Sequence, residues 1–222
     1  MNDDSQKPRR GRPPKEPQTG RDTRESLVRS GMAALTERGY LTSDIGGILR
    51  NAGVPKGSFY YYFASKEAFV REIILRYGDY FAGKLDRFLL DASMPPLQRI
   101  RAFCEDAGKS MARHGFARGC LIGNLSQEAG GLPEGYGHLL NAVFEDWQAR
   151  VAVCLRLAQT MGEMAEGGDC DELAAYFWTG WEGAVMRAKL VGNQEPLALF
   201  VKHFMASITV HPRQEKPCSK AF

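Results

Sequence analysis

Apolar residues return every three or four positions along most of the chain, and prolines and glycines fall between those stretches. From Thr23 to Arg38 the set Leu27, Met32 or Ala34, and Leu35 predicts a helix that stops at Gly39, a residue that tolerates positive φ. Ile45, Ile48 and Leu49 predict a short second helix, capped by Thr42 or Ser43 and ended by "NAGVP". Pro55 suits the start of a third helix, running to Tyr62. Ser65 caps a long fourth helix, in which Phe69, Ile73, Tyr77, Phe81, Leu85 and Phe88 recur at about four residues and Glu67 and Glu72 lie near the positive end. Beyond "DASMPP" the same spacing predicts helices near 96–114, 120–129, 133–162, 170–190 and 196–209, with Gly130-Gly131 and Gly167-Gly168 at two joints. No interval alternates with the period of a strand, so the expected fold is all-α.

The stretch "GVPKGSFYYYF", Gly53 to Phe63, joins the second and third helices. Two short helices across a tight turn, inside a three-helix unit, form a helix-turn-helix, the geometry that lets the second helix enter the major groove of DNA. On a helix from Pro55 to Tyr62, Phe59 and Phe63 face inward, and Lys56, Gly57, Tyr60 and Tyr61 point outward. Lysine and tyrosine can reach phosphates or base edges there, and glycine lets the backbone approach. The three tyrosines also admit a packing role, which suits Tyr62 best.

Charge strengthens this picture. The net formal charge is only +3, yet residues 1–90 hold 16 Lys/Arg against 11 Asp/Glu while residues 91–222 hold 13 against 15. Residues 1–21, rich in Pro, Arg and Lys, are expected to be a disordered basic arm. Its "RRGRPPK" is AT-hook-like: Arg10 and Arg12 flank a glycine and could lie along a narrow A·T-rich minor groove, or else form only a basic tail. Five cysteines without a CxxC pair or a histidine at zinc spacing argue against a disulfide framework and a metal, and no cofactor motif is present. His114 and Cys120 stand six residues apart with no third group, so an enzyme is not expected. No apolar run would span a bilayer and no apolar leader is seen, which predicts a cytoplasmic protein without a membrane partner.

About 45 residues here resemble the TetR family of bacterial transcriptional repressors: "ERGY" at Glu37–Tyr40, Thr or Ser before the second helix, "AGVPKGSFYYYF" across the turn, and "SKE" at Ser65–Glu67. The resemblance implies a three-helix DNA-binding domain at 22–66, joined by the long fourth helix to a ligand-binding and dimerisation domain at 67–211, with a flexible tail at 212–222. It implies that Thr42 and Ser43 contact phosphate, that Lys56, Gly57, Ser58 and Tyr60 sit in the groove or on its walls, and that Lys66 binds phosphate at the fourth helix N-terminus. The partners implied are double-stranded operator DNA of near-palindromic sequence, a second copy of the chain and a small-molecule effector.

In the second half, "HGFARGCLIGNLSQEAG" (His114–Gly130) and "YFWTGWEGAVMRAKL" (Tyr176–Leu190) look similar to the N-ethylmaleimide-responsive and acrylate-responsive members of that family, which share the "GCL" and an "AKL"-like ending. Cys120 is the sensing candidate, with Arg118, Arg187 or Lys189 expected to lower its pKa; a plain buried cysteine is the alternative. Trp178, Glu182, Val185 and Lys189 share one helical face, and His114, Phe116, Asn124, Glu128, Trp178 and Trp181 could line a pocket. Helices 170–190 and 196–209 are expected to form the dimer interface through Phe177, Trp181, Ala184, Leu197, Phe200, Phe204 and Ile208. The resulting reading is a repressor released from its operator when a small reactive or unsaturated metabolite acts near Cys120. A non-covalent effector and a constitutive architectural DNA binder are the alternatives.

Overall fold

The computed structural model describes residues 20–209. Residues 1–19 of the expected arm, with Arg10 and Arg12, and the tail at 212–222 lie outside the described residues, while residues 20 and 21, also expected in the arm, open the first helix. The described residues are helical almost throughout: α1 (Gly20–Arg38), α2 (Ile45–Ala52), α3 (Phe59–Tyr62), α4 (Lys66–Leu89), α5 (Pro96–Arg113), α6 (Leu121–Ser126), α7 (Tyr136–Thr160), α8 (Cys170–Val191) and α9 (Glu195–Ile208).

Local chemistry explains most boundaries and corrects three expectations. α2 is capped by Asp44, whose carboxylate accepts from the Gly47 N–H at 2.7 Å, and not by Thr42 or Ser43. Gly53, at φ +67°, ends α2 in the left-handed conformation, and the Val54 N–H reaches back to the Leu49 carbonyl. The third helix does not begin at Pro55: Lys56–Ser58 form a 3-10 turn, and α3 proper spans only Phe59–Tyr62. The segment expected as one helix over 120–129 divides into α6 and a 3-10 turn at Ala129–Gly131.

α1, α2 and α3 surround Leu27, Leu35, Ile48, Phe59 and Phe63, and this small core runs without a break into α4 through Phe69 and Ile73. α1 lies close against α4 because residue 31 is glycine: a Cβ there would fall 2.4 Å from the Phe69 ring. The larger core centres on aromatic rings, with Phe81 4.4 Å from Trp147 and Trp147 5.1 Å from Trp178, centroid to centroid. α7 and α8 pack along each other, and α9 covers the other side of α8.

That packing overturns the expected dimer-facing residues. Phe177, Trp181, Ala184, Leu197, Phe204 and Ile208 are buried within the protomer, and Phe200 packs half-buried against Phe177 and Trp181. The exposed apolar residues of α8 and α9 are instead Tyr176, Met186, Leu190, Val191 and Leu199.

Candidate functional site

The helix-turn-helix presents its polar and aromatic residues as its local structure dictates. Phe59 and Phe63 point inward, each meeting the ring of Phe69, and so set the orientation of the short α3. Tyr60 and Tyr61, 73% and 83% exposed, are left standing outward beside exposed Lys56 and Gly57, while Ser58 is half-buried. A Cβ at Gly57 would meet nothing within 4 Å, so no packing demand fixes glycine there. Tyr62 packs against the core, as expected.

Three of the expected phosphate contacts stand differently. Ser43 is 1% exposed, and its hydroxyl faces the interior without a partner. Thr42 is exposed but donates to the Arg38 carbonyl, closing the end of α1. The Lys66 ammonium donates to the Tyr40 carbonyl at 2.9 Å and lies 4.1 Å from the centre of the Tyr40 ring, which ties the start of α4 to the loop before α2.

The sensing candidates converge on two places. Cys120 forms the N-cap of α6, its sulfur accepting from the Gly123 N–H at 3.5 Å, and lines a cleft of about 750 Å³ between α1 and the helices of the second half. Tyr77, Met111, His114, Trp181 and Val185 share its walls. The expectation of a cation beside the thiol is not met. Arg118 pairs with Glu37 at 2.7 Å, and Arg187 is exposed. The neighbour of Cys120 is the Glu182 carboxylate, and burial together with that carboxylate pushes the thiol well above its usual range. Burial raises Glu182 in turn to about 7, with the Cys120 hydrogen bond drawing it down. Tyr77, buried against the same pair, is raised by burial and by Cys120. Residue 123 must be glycine for this arrangement, since a Cβ would fall 1.9 Å from Glu182 Oε2.

Lys189, Asn124 and Glu128 are not pocket walls; they grip the end of α1. The Lys189 ammonium donates to the carbonyls of Thr36 and Glu37, each at 3.4 Å, and to Asn124 Oδ1 at 3.2 Å. Asn124 donates to the Thr36 carbonyl. A cation at a helix C-terminus opposes the negative end of the dipole, although burial lowers the Lys189 pKa. On the far side of the turn, Glu128 accepts from the N–H groups of Tyr40 at 2.6 Å and Leu41 at 3.1 Å. Gly39, at φ +83°, makes room for that carboxylate, which a Cβ would approach to 2.2 Å. Thr36, Glu37 and Tyr40 thus belong to the joint between the halves. Their part in it was not foreseen, since the partners lie up to 153 residues away.

Trp181 lines the cleft, whereas Trp178 belongs to the aromatic core and to a smaller cavity beyond it. Phe116 packs against the core at φ +59°, completing the turn that ends α5. Among the described residues there is no cluster of His, Cys, Asp and Glu able to hold a metal, and no helix long and apolar enough to cross a membrane.

Two family models match the two halves. Residues 27–73 match the bacterial regulatory proteins of the tetR family, and residues 96–204 match the tetracyclin repressor-like C-terminal domain. The chain is 49% identical over 199 residues to the transcriptional regulator AcuR of Cereibacter sphaeroides, covering 90% of each protein. It is 31% identical over 191 residues to the HTH-type transcriptional repressor NemR of Escherichia coli K12, covering 83% of this chain and 93% of that one. Among solved structures, the regulatory protein TetR from Rhodobacter sphaeroides superposes with a TM-score of 0.83 at 47% identity, covering 84% of this chain and 99% of that one. The reduced form of E. coli NemR gives 0.77 at 29% identity, covering 86% and 99%. These proteins are regulators and not enzymes, and their likeness spans both the helix-turn-helix and the C-terminal domain, so this chain belongs to the TetR family of ligand-responsive bacterial transcriptional regulators.

Proposed function

We propose that the protein is a homodimeric cytoplasmic repressor that leaves a near-palindromic operator when a small electrophile or unsaturated acid enters the cleft beside Cys120. The observation that carries this reading is the position of the cleft. One wall is α1 of the DNA-binding unit, another holds Cys120, and Asn124 and Lys189 bind the last carbonyls of α1. An occupant that displaced α6 or α8 would therefore move the helix that supports α2 and α3.

DNA contact is assigned to Lys56, Gly57, Ser58, Tyr60 and Tyr61, with Thr42 and Lys66 at the phosphates and Arg10 and Arg12 in the adjacent minor groove. The dimer seam is assigned to the outer face of α8, where Tyr176, Thr179, Gly183, Met186 and Leu190 follow one another at three- and four-residue steps with small residues in the middle. α9 adds Leu199 beside it. The two-fold axis then sets the spacing of the operator half-sites.

The chemistry at the cleft follows from the Cys120–Glu182 pair. Glu182, with a pKa of about 7, is half ionised near neutrality, and its negative charge opposes thiolate formation; an occupant that displaced the carboxylate would let the thiol lose its proton to solvent. The thiolate adds to the β-carbon of an activated alkene, the α-carbon takes up a proton, and a C–S bond replaces the π bond without an external oxidant. The buried, protonated thiol favours a second reading as well, in which the cleft holds a reversible ligand and Cys120 only packs.

Anisotropy of labelled upstream DNA, with and without acrylate or N-ethylmaleimide, separates these readings in wild type and Cys120→Ser. Release in wild type alone supports the covalent switch, and equal release in both supports the reversible ligand. Release in neither removes the cleft from the account.

A further inference from the structure

α7 runs beside α4 in the same direction and is fastened to it at intervals. Toward the end of α4, Arg150 donates to the Asp86 carboxylate. Midway, the Trp147 indole donates to the Gly78 carbonyl at 3.4 Å, and Val143 lies so close that a Cβ at Gly78 would fall 3.2 Å from it. At the start of α7, Gly135 turns the chain at φ +80° and Tyr136 follows, 3% exposed, with its hydroxyl donating to the main-chain carbonyl of Glu67 at 2.5 Å. That carbonyl belongs to the first turn of α4, which only Phe63, Ala64 and Ser65 separate from α3. The Tyr136 ring also meets Tyr40 edge-on, 6.0 Å between centroids, and the Tyr40 hydroxyl donates to the Glu67 carboxylate at 3.4 Å. Burial pushes the Tyr136 pKa up to about 12, so this hydroxyl keeps its proton throughout the physiological range. The same helix pair borders the cleft, because Phe81 of α4 lines it and stacks on Trp147, about three turns or ~16 Å along α7 from Tyr136. α7 in turn packs along α8, whose outer face is assigned to the dimer seam.

We propose that Tyr136 is a positioning residue for operator recognition: its hydroxyl fastens the first turn of α4 to α7, so that α3 takes its place relative to the dimer seam from α7. Effector occupancy then reaches the DNA through this fastening as well as through the end of α1. The first statement stands without any effector, and the second rests on the cleft reading given above. Two recognition helices gripping one operator must hold a fixed separation, whereas a single helix on a single half-site need not. A residue that positions α3 from the seam therefore matters to the whole operator and not to its halves.

The test compares full-length wild type with Tyr136→Phe, which keeps the ring against Tyr40 and removes only the donor. Hydrogen exchange read by mass spectrometry is expected to quicken about three- to tenfold in peptides spanning 59–71 and to stay unchanged across 96–113. Binding to the labelled upstream operator should weaken about three- to tenfold, while binding to a duplex carrying one half-site should not change. The ratio of operator Kd with and without saturating acrylate should shrink by a similar factor, with acrylate affinity by calorimetry unaltered. Equal weakening on operator and half-site would mean that Tyr136 only supports the shape of α3, and would overturn the positioning role. Unchanged exchange and affinity would reduce Tyr136 to packing. A weakened operator with an undiminished release ratio would remove the effector route and keep the positioning role. Failure of acrylate to release wild type would count against the cleft reading, and the exchange and half-site comparisons would still decide the role of Tyr136.

Discussion

Glu182 offers the sharpest test of the buried pair. Its pKa stands at about 7 against an ordinary 4.5, because burial penalises the charged carboxylate. The folded protein therefore keeps a proton that the unfolded chain releases as pH rises between those values. Stability from this group is intact below 4.5, declines as pH climbs to 7 and stays lost above it, and the whole loss amounts to about 3 kcal/mol. Glu182→Gln has nearly the same shape and cannot ionise, so its stability should escape this decline. Between pH 5 and pH 8 the gap between variant and wild type should widen in favour of the variant by about 2.5 kcal/mol. Cys120 and Tyr77 are pushed well above their usual ranges and do not titrate in that window. Urea unfolding followed by tryptophan fluorescence measures the gap, with protein concentration held constant because a dimer gains stability by mass action. A contact that the glutamine makes or loses against Cys120 would add an offset independent of pH. Parallel stability curves from pH 5 to pH 8 would therefore refute the claim that Glu182 is buried at the cost of its charge.

Further outcomes follow from neighbouring contacts. Removing the carboxylate in Glu182→Gln should speed alkylation of Cys120 by iodoacetamide at pH 8, about tenfold for each unit by which the thiol pKa falls; peptide mass spectrometry reads the rate, and an unchanged rate would mean that burial alone restrains the thiol. Tyr60→Ala should alter stability by no more than about 0.5 kcal/mol yet weaken operator binding by about 1–3 kcal/mol, whereas Phe59→Ala should cost about 3–5 kcal/mol of stability, because Tyr60 is exposed and Phe59 is 1% exposed. Thermal unfolding and DNA anisotropy check that pair, and unaltered affinity in Tyr60→Ala would remove it from the groove. Lys189→Met, which deletes the hydrogen bonds to the Thr36 and Glu37 carbonyls, should cost about 1–3 kcal/mol and leave effector binding intact while blunting operator release; full release at effector saturation would show that signalling bypasses the joint.

What the chain discloses about itself depends on how far apart the interacting residues stand. α4 was legible because its apolar residues form a single stripe, and the helix-turn-helix because the residues that make its turn lie within a dozen positions. Thr42, Ser43 and Asp44 are all good capping residues in consecutive places, so composition alone does not reveal that Asp44 takes the role and Ser43 turns inward. Cys120 was recognisable as a candidate, but the sign of its pKa shift was not, because Glu182 approaches from a different helix. Glu128 looked like a pocket residue for the same reason, its partners lying 88 and 87 residues earlier. α8 is apolar almost all round, with Phe177 and Trp181 on one side and Tyr176, Met186 and Leu190 on the other. A helix of that kind does not announce which side faces its own protomer.

The grip on the end of α1 bears on how far such regulators are modular. Residues 36–41 supply backbone groups, and Asn124, Glu128 and Lys189 supply the side chains that satisfy them, so the two parts of the molecule fit there as lock and bolt. A chimera that joins this helix-turn-helix to the sensing half of a relative inherits the carbonyls without a guarantee of their partners. Grafts that carry Asn124, Glu128, Lys189 and the glycine at position 39 together should keep an obedient operator switch; grafts cut at the start of α4 alone should yield proteins that bind DNA and no longer listen.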